Sequence, residues 1–167
     1  MPSPVIPMIP EMQRLIGLLR ADGFTLPNAT PRIGWFGDGP ELAQELGNLV
    51  RQGVKAATAG LVWAWEAEGE FPRVGDIEII IDWRGEPLAV IELTEVRVLP
   101  FEQVDAAFAH DEGEGDRSLA AWRKGHWRYF SRECARLGRE PTPTMPVVCQ
   151  RFRLLHVVVK APSGGGR

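Results

Sequence analysis

Hydrophobic residues recur along this chain with helical spacing in some segments and with strand spacing in others. Helical spacing covers 11–22, Pro40 to about Val50, and about 116 to Leu137. Strand spacing covers 76–83, 88–99 and 147–159. The turn residues Arg84 to Pro87 separate the first two strand segments and predict a hairpin. The apolar run at 58–65 fits a helix and a strand equally well.

The remaining segments are expected to be short or irregular. Four prolines predict an irregular arm over 1–10, a composition of Pro, Asn, Thr and Gly predicts a loop over 24–38, and three consecutive glycines predict a disordered tail over 161–167. A short helix is expected over 101–109. The helix from Pro40 is expected to bury Leu42, Leu46, Leu49 and Val50. This order predicts an α+β fold: a small, mostly antiparallel β-barrel decorated by helices.

Composition places few limits on function. The 167 residues are 44% hydrophobic and 25% charged, which is typical of one soluble globular domain. The net charge of −3 excludes a wholly basic nucleic-acid binder but leaves room for a local basic groove. The sequence holds no apolar run of membrane-span length and no signal-peptide pattern, so we expect a cytoplasmic protein with no membrane partner. Cys134 and Cys149 lack metal-type spacing and are expected to be reduced and buried.

The long helix near the end of the chain has two chemically different faces. Leu119, Trp122, His126, Phe130 and Leu137 share the face that should be buried. His126 is therefore either a packed core histidine or part of a site. The opposite face carries cations, namely Arg117, Lys124, Arg128 and Arg132. Like charges four residues apart destabilise a helix by about 0.2–0.5 kcal/mol per pair, so acidic residues of the chain or a bound phosphate should offset them.

An acidic loop precedes that helix and contains Asp111, Glu112, Glu114 and Asp116. Three interpretations remain open. The carboxylates suit a divalent metal, although the spacing of a calcium loop is absent because Trp122 stands where a glutamate would be needed. One carboxylate can serve in general acid–base chemistry. Asp116 or Ser118 can also cap the following helix, with Asp116 the expected cap in any case.

A lysine and a threonine form the other candidate group. Lys55 precedes Thr58 by three residues. A threonine hydroxyl becomes a nucleophile when a base takes its proton, and a lysine can be that base. The structural alternative is a surface lysine and a capping threonine.

These motifs together resemble the ASCH domain family, in its larger bacterial branch. The matching stretches are 36–38, 49–58, 72–76, 100–104, 112–119 with Trp122 and His126, and 147–152. The resemblance spans about residues 35 to 156. It implies a division into an arm and helix over 1–33, an ASCH domain over 34–160 and the tail.

The resemblance also implies a PUA-like β-barrel with a cleft suited to RNA. Some relatives cleave RNA with a divalent metal, and small relatives hydrolyse N4-acetylcytidine with a lysine, a threonine and a glutamate. Lys55 and Thr58 match the first two residues. Glu112 matches the third, with Glu114 as the alternative two residues later.

Three functional hypotheses follow. The first is a protein that binds RNA or a nucleotide and hydrolyses it as a metal-dependent ribonuclease would, with Glu112 and Glu114 holding Mg²⁺ or Mn²⁺. In this hypothesis the residues that hold phosphate are Arg51, Lys55, Arg117, Lys124 and Arg128, and a base stacks on one or two of Trp35, Trp63, Trp65 and Trp83. The second is an amidohydrolase of acylated nucleosides that uses Lys55, Thr58 and Glu112. The third is a non-catalytic, RNA-linked regulatory module.

The two candidate groups are expected to meet. Lys55 follows a helix-ending glycine and Glu112 precedes a helix, with mostly strand between them. Loop ends of this kind can gather at one rim of a barrel. The sequence makes no prediction of the oligomeric state.

Overall fold

In the computed structural model, residues 8–159 are described, and they form five α-helices, five strands and one turn of 3₁₀ helix. The helices are α1 Met8–Ala21, α2 Pro40–Arg51, α3 Val62–Glu68, α4 Ala106–Glu112 and α5 Leu119–Leu137. The strands are β1 Arg32–Gly34, β2 Ala57–Leu61, β3 Ile77–Ile81, β4 Pro87–Pro100 and β5 Pro146–Val157, with the 3₁₀ turn at Phe101–Gln103. None of the helices in this range combines the length and the apolar character that a membrane span needs.

The strands form one sheet in the order β1-β3-β4-β5-β2. β3 and β4 pair antiparallel, with Ile79 opposite Val90, so the predicted hairpin is confirmed. β2 pairs antiparallel with β5, which places Ala59 opposite Cys149. β1 pairs parallel with β3. The sheet is therefore mostly antiparallel, as the sequence predicted.

One compact unit comprises 8–52, 76–92 and 154–159 of the described chain. Its core joins the apolar face of α1 to the β3–β4 hairpin, and its fully buried members include Leu15, Leu19, Ile79 and Val90. Burying a side chain of this size stabilises the fold by about 1.5–3 kcal/mol. The sequence order therefore gives this unit a core in which the first helix covers the first hairpin.

The second unit comprises Gly53–Gly75 and Leu93–Arg153. Its core is aromatic, and Phe101, Phe108, Trp122 and Phe130 are all buried. The ring centroids of Phe101 and Trp122 lie 5.4 Å apart, and those of Phe108 and Trp122 lie 6.4 Å apart. This core holds α4 and α5 in place, and both helices carry candidate functional residues.

Three sequence predictions about local structure are wrong in detail. The predicted arm at 1–10 already contains the start of α1 at Met8, because a proline such as Pro10 is tolerated in the first turn of a helix; residues 1–7 and the predicted tail at 161–167 lie outside the described residues. The predicted loop at 24–38 contains β1, a strand too short to show any periodicity. The short helix predicted over 101–109 is instead the 3₁₀ turn at Phe101–Gln103 followed by α4 at Ala106–Glu112. The segment at 58–65, for which the sequence left helix and strand open, is divided between β2 and α3.

The buried face of α2 is also rotated relative to the prediction. Leu46 and Val50 are buried as expected, but Leu42 is 39% exposed. The face instead includes Gly47, where an added Cβ would lie 2.5 Å from Leu88 Cδ1. A small residue allows this close approach, and hydrophobicity alone does not reveal it.

Candidate functional site

The segment that carries Lys55 is fixed by backbone hydrogen bonds within the second unit. The Ala56 N–H donates to the Asp111 carbonyl at 2.8 Å, and the Ala56 carbonyl accepts from the Phe152 N–H at 3.0 Å. The residue after Lys55 therefore joins the end of α4 to β5. These bonds bring the two candidate segments of the sequence together.

Lys55 is buried, with only 2% of its surface exposed. Its Nζ donates to the Ala57 carbonyl at 2.8 Å, to Glu114 Oε1 at 3.0 Å and, more weakly, to the Glu112 carbonyl at 3.4 Å. An isolated buried ammonium group would be very costly, so these acceptors are what make the burial tolerable. Lys55 is thus a buried cation and not the surface lysine of the structural alternative.

Gly113 makes the meeting of the two segments sterically feasible. It ends α4 with a φ of 73°, in the left-handed region that favours glycine. A Cβ at this position would lie 2.5 Å from the Val54 carbonyl oxygen and 3.0 Å from Lys55 Cα. Only a residue without a side chain fits this contact, so Gly113 sets how closely the acidic loop approaches Lys55.

A second ion pair lies behind Lys55 and joins α4 to α5. The side chain of Glu112 is 1% exposed, and His126 Nε2 lies 3.0 Å from its Oε2. His126 Nδ1 lies 3.0 Å from the Trp122 carbonyl, which can only accept, so Nδ1 carries a proton. The contact of Nε2 with Glu112 is an ion pair, and neither Glu112 carboxylate oxygen has a hydrogen-bond partner of full geometry among the described residues.

The charges of this cluster shift the pKa values of its members. Burial alone would raise the pKa of Glu112, but the cations Lys55 and His126 outweigh it and hold that pKa below its ordinary value. Burial alone would lower the pKa of His126, but Glu112, with Glu114 farther away, raises it. When His126 is protonated, Lys55 and His126 balance the two glutamates. The four side chains then form a neutral, mostly buried cluster.

Glu114 is the member of the cluster that solvent reaches. Its side chain is 34% exposed, whereas that of Lys55 is 1% exposed and that of His126 is 13% exposed. A ligand arriving from solvent therefore meets the Glu114 carboxylate first and Lys55 behind it.

The loop after Glu114 is held in an unusual conformation. Arg117 has a φ of 63°, a region that residues with side chains rarely adopt. Its Nε donates to the His110 carbonyl at 2.9 Å, and its N–H donates to the Glu114 carbonyl at 3.0 Å. Arg117, predicted to bind phosphate, thus binds the end of α4 in this structure.

The cap of α5 is Ser118 and not Asp116, the residue that the sequence had predicted. The Ala121 N–H donates to Ser118 Oγ at 3.1 Å, whereas Asp116 Oδ1 accepts from the Ser118 N–H.

An arginine on β5 supports the site from the other side. Arg151 Nε donates to Asp111 Oδ2 at 3.0 Å, and its Nη1 donates to Glu95 Oε2 at 2.8 Å. Its guanidinium also lies 5.2 Å from the centre of the Phe108 ring. Asp111 therefore fixes the end of α4 to β5.

A divalent metal would have three ligand atoms here. One atom each from Glu112, Glu114 and His126 lie within 4.8 Å of one another. The proton on His126 Nδ1 is held by a backbone carbonyl, which is how metal-binding histidines are commonly oriented. These residues fit a cation with mixed oxygen and nitrogen ligands. Lys55 competes for the same carboxylates, because its ammonium already lies 3.0 Å from Glu114.

The remaining predicted site residues have other surroundings. Ala57 and Leu61 of β2 are buried in the aromatic core, so strand alternation directs the Thr58 side chain to the opposite face. Among residues 8–159, no hydrogen bond joins Thr58 to Lys55. Arg51 Nη2 donates to the Val158 carbonyl at 3.1 Å within the first unit. Lys124 and Arg128 are exposed on α5.

The four tryptophans proposed for stacking differ in exposure. Trp83 is 43% exposed, whereas Trp63 is partly buried, with the Arg139 guanidinium 4.3 Å from its ring centre. Trp65 lies against Gly60, and Trp35 packs against the core of the first unit.

The cysteines are buried as predicted, and burial raises the pKa of Cys149 to about 12.

The sequence did not assign His126 to the site, although it placed this residue on the buried face of α5. The available signal was a histidine on an apolar stripe in the same chain segment as an acidic loop. The sequence also did not indicate that Gly113 is a contact residue of this site.

The chain belongs to the ASCH domain family, whose model matches residues 32–156. Among solved structures, it is similar to an ASCH domain from Lactobacillus crispatus JV V101, at 30% identity and a TM-score of 0.77 over 90% of this chain and 97% of that one. It is also similar to protein EF3133 from Enterococcus faecalis V583, at 31% identity and a TM-score of 0.78 over 89% of this chain and 91% of that one. Among curated proteins, none matches the chain.

These similarities confirm the resemblance read from the sequence motifs. They also confirm the predicted class, an α+β, PUA-like fold with a small and mostly antiparallel barrel sheet. RNA binding is plausible for the family.

Proposed function

We propose that this chain binds RNA or a nucleotide at the Lys55 cluster and hydrolyses it there. The observation that carries the proposal is the buried ammonium of Lys55, which lies 3.0 Å from Glu114, the one carboxylate of the cluster that is substantially open to solvent. A buried cation behind an accessible acid is a suitable arrangement for a phosphate group, whose charge grows during transfer.

The entering phosphate would exchange partners with Glu114. Lys55 would bind a phosphate oxygen in place of the Glu114 carboxylate. Glu114 would then be free to accept the proton of the attacking ribose hydroxyl. A bond forms between that hydroxyl oxygen and phosphorus, the bond from phosphorus to the leaving oxygen breaks, and the leaving oxygen takes a proton from solvent. Water then attacks the phosphorus of the resulting cyclic phosphate, the bond to the ribose oxygen breaks, and that oxygen takes up a proton, which completes the hydrolysis. Glu112, the last residue of α4, and His126, inside α5, would keep the two helices joined beside Lys55 during this exchange.

A divalent cation would be held by Glu112, Glu114 and His126, the three side chains whose ligand atoms converge. When bound, it would supply Lewis-acid stabilisation of the phosphate charge. The ammonium of Lys55 supplies a positive charge at the same place from the chain itself.

The amidohydrolase hypothesis receives less support from the geometry. A lysine that acts as a base must be neutral, and a neutral amine has two protons, yet three acceptors surround Lys55 Nζ. Thr58 also points to the face of β2 opposite Ala57 and Leu61.

Cleavage of a fluorescently labelled RNA strand tests the proposal. Lys55→Met and Glu114→Gln should each slow cleavage by about 10²-fold or more, the usual contribution of a group in acid–base or charge-stabilising catalysis. Glu140→Gln is the matched control, since Glu140 is an exposed acid of the same unit. Undiminished cleavage by folded Lys55→Met would refute the assignment. Parallel reactions with EDTA and with added Mn²⁺ measure the contribution of a metal.

A second assay distinguishes the alternatives. Hydrolysis of N4-acetylcytidine that survives EDTA and disappears in Thr58→Ala would replace this proposal with the amidohydrolase. Binding of RNA without turnover of either substrate would support the non-catalytic module.

A further inference from the structure

A row of exposed cations runs along the outer face of α5. Its members are Lys124, Arg128, Arg132 and Arg136, spaced four residues apart and all exposed, and they are called the α5 cation face below. Each step moves about 6 Å along the helix axis and about 40° around it, so the four side chains form one gently winding row. His126 and the aromatic core lie on the other side of the helix.

The residues between these cations are small. Ala120, Ala121, Gly125 and Ala135 are exposed on the same side of α5, and Ser131 is partly exposed. None of them projects beyond Cβ by more than one atom. An extended ligand could therefore lie close to the helix along the whole row, with the long cationic side chains reaching up to it.

The helix concentrates positive charge in a chain that is negative overall. α5 contains five arginines and lysines but one acid, Glu133, whereas the whole chain has a net charge of −3. Glu133 binds Arg136 at 2.8 Å and so balances the C-terminal end of the row. Like charges four residues apart cost about 0.2–0.5 kcal/mol per pair, which a polyanion would relieve.

Two aromatic side chains flank the row. Trp127 is 36% exposed and Tyr129 is 39% exposed, and they lie on opposite sides of the line of cations. Trp127 is supported from beneath by Phe101, with ring centroids 5.4 Å apart. Rings at the edge of a cationic track can stack unpaired bases whose phosphates lie on the cations.

We propose that the α5 cation face binds the phosphate backbone of single-stranded RNA. This inference rests on the proposed function and deepens it, because a surface of this length is matched to a strand and has no use for a single nucleotide. The strand lies along α5 on cations that belong to the same unit as the Lys55 cluster.

Salt-dependent binding provides the test, with a labelled single-stranded oligouridylate whose 2′-O-methyl groups prevent cleavage. Each phosphate contact contributes about 0.7 to the slope of log K against log salt for a single strand. The double variant Lys124→Gln/Arg128→Gln should therefore lower that slope by about 1.4. The control Arg20→Gln/Arg84→Gln removes the same charge from exposed sites elsewhere and should leave the slope unchanged.

Cleavage of a dinucleotide is measured on the same proteins to separate this inference from the proposed function. A slope that stays at the wild-type value in the Lys124/Arg128 variant overturns the inference, whatever the cleavage assay shows. A lower slope together with an absence of dinucleotide cleavage supports the surface and refutes the hydrolytic site. Equal loss of slope in the control variant, or equal binding of duplex RNA, overturns the assignment of a single strand to this face.

Discussion

Replacing Gly113 with alanine should separate the acidic loop from Lys55. The new methyl group meets two penalties. A left-handed backbone costs an alanine about 1–2 kcal/mol, and overpacking a tight contact costs about 1–3 kcal/mol more. The second penalty applies because the added Cβ would lie 2.5 Å from the Val54 carbonyl oxygen, 2.8 Å from Val54 C and 3.0 Å from Lys55 Cα. These are backbone atoms, which cannot turn aside as the end of a flexible side chain could.

Two glycines of the same unit isolate the second penalty. Gly115 has a φ of 58° and Gly138 has a φ of 70°, yet an added Cβ at either position meets nothing within 4 Å. Gly115→Ala and Gly138→Ala should therefore lower the free energy of unfolding by about 1–2 kcal/mol each, and Gly113→Ala by about 2–5 kcal/mol. Urea unfolding measures all three, and each kcal/mol should correspond to about 2–4 °C in Tm for a domain of this size.

The comparison has a clear negative outcome. If Gly113→Ala costs no more than the two control substitutions, the close approach of the loop to Val54 and Lys55 does not contribute to stability. The cluster would then need another explanation for its assembly.

The remaining predictions concern the buried charges and thiols. Lys55→Met and Glu112→Gln should each lower the free energy of unfolding by about 1–3 kcal/mol, because each leaves a buried polar group without its partner. The double variant should lose less than the sum of the two losses, and strict additivity in urea unfolding would contradict this. Burial raises the pKa of Glu78 above 4.5, the ordinary pKa of this group in the unfolded chain, so the folded state binds the proton more tightly. The free energy of unfolding should therefore rise as pH falls from neutral toward 4.5. Glu78→Gln should remove this part of the pH dependence, and unfolding curves at pH 5 and pH 7 check it; an unchanged difference would exclude Glu78 as its source. Cys134 and Cys149 should react with a thiol reagent only in denaturant, since both are buried, and rapid labelling of the folded protein would refute that.

The sequence revealed the parts of this fold that depend on local periodicity. The hairpin of β3 and β4 and the long helix α5 follow from alternating or helical apolar patterns, and the structure contains both. β1 escaped prediction because three residues show no period, and its position depends on pairing with β3. The rotation of α2 was not predicted because the buried face includes Gly47, which packs closely against Leu88. Apolar side chains alone do not reveal a contact that requires a glycine.

The candidate site was predictable in its residue types but not in its arrangement. Lys55 and Glu112 were expected to meet, and their segments do. The carboxylate to which Lys55 donates a hydrogen bond is nevertheless that of Glu114, and Glu112 pairs with His126. Which of two glutamates two residues apart turns toward a lysine depends on the residue at which α4 ends. Tertiary contacts at Gly113 set that boundary, and local sequence patterns do not define helix ends to within one or two residues.

The pairing of β2 with β5 has a consequence for how the protein is made. Ala57 pairs with Arg151, and the Ala56 carbonyl accepts from the Phe152 N–H. The backbone next to Lys55 is therefore held by pairing between an early and a late part of the chain. A ribosome delivers β2 long before its partner strand exists. Until β5 is made, the backbone of β2 lacks this pairing partner. Pairing between strands far apart in the chain slows folding, and an unpaired strand edge favours aggregation. The cluster is therefore completed only when synthesis reaches β5, so a nascent chain can carry every one of its charged residues before the cluster is assembled.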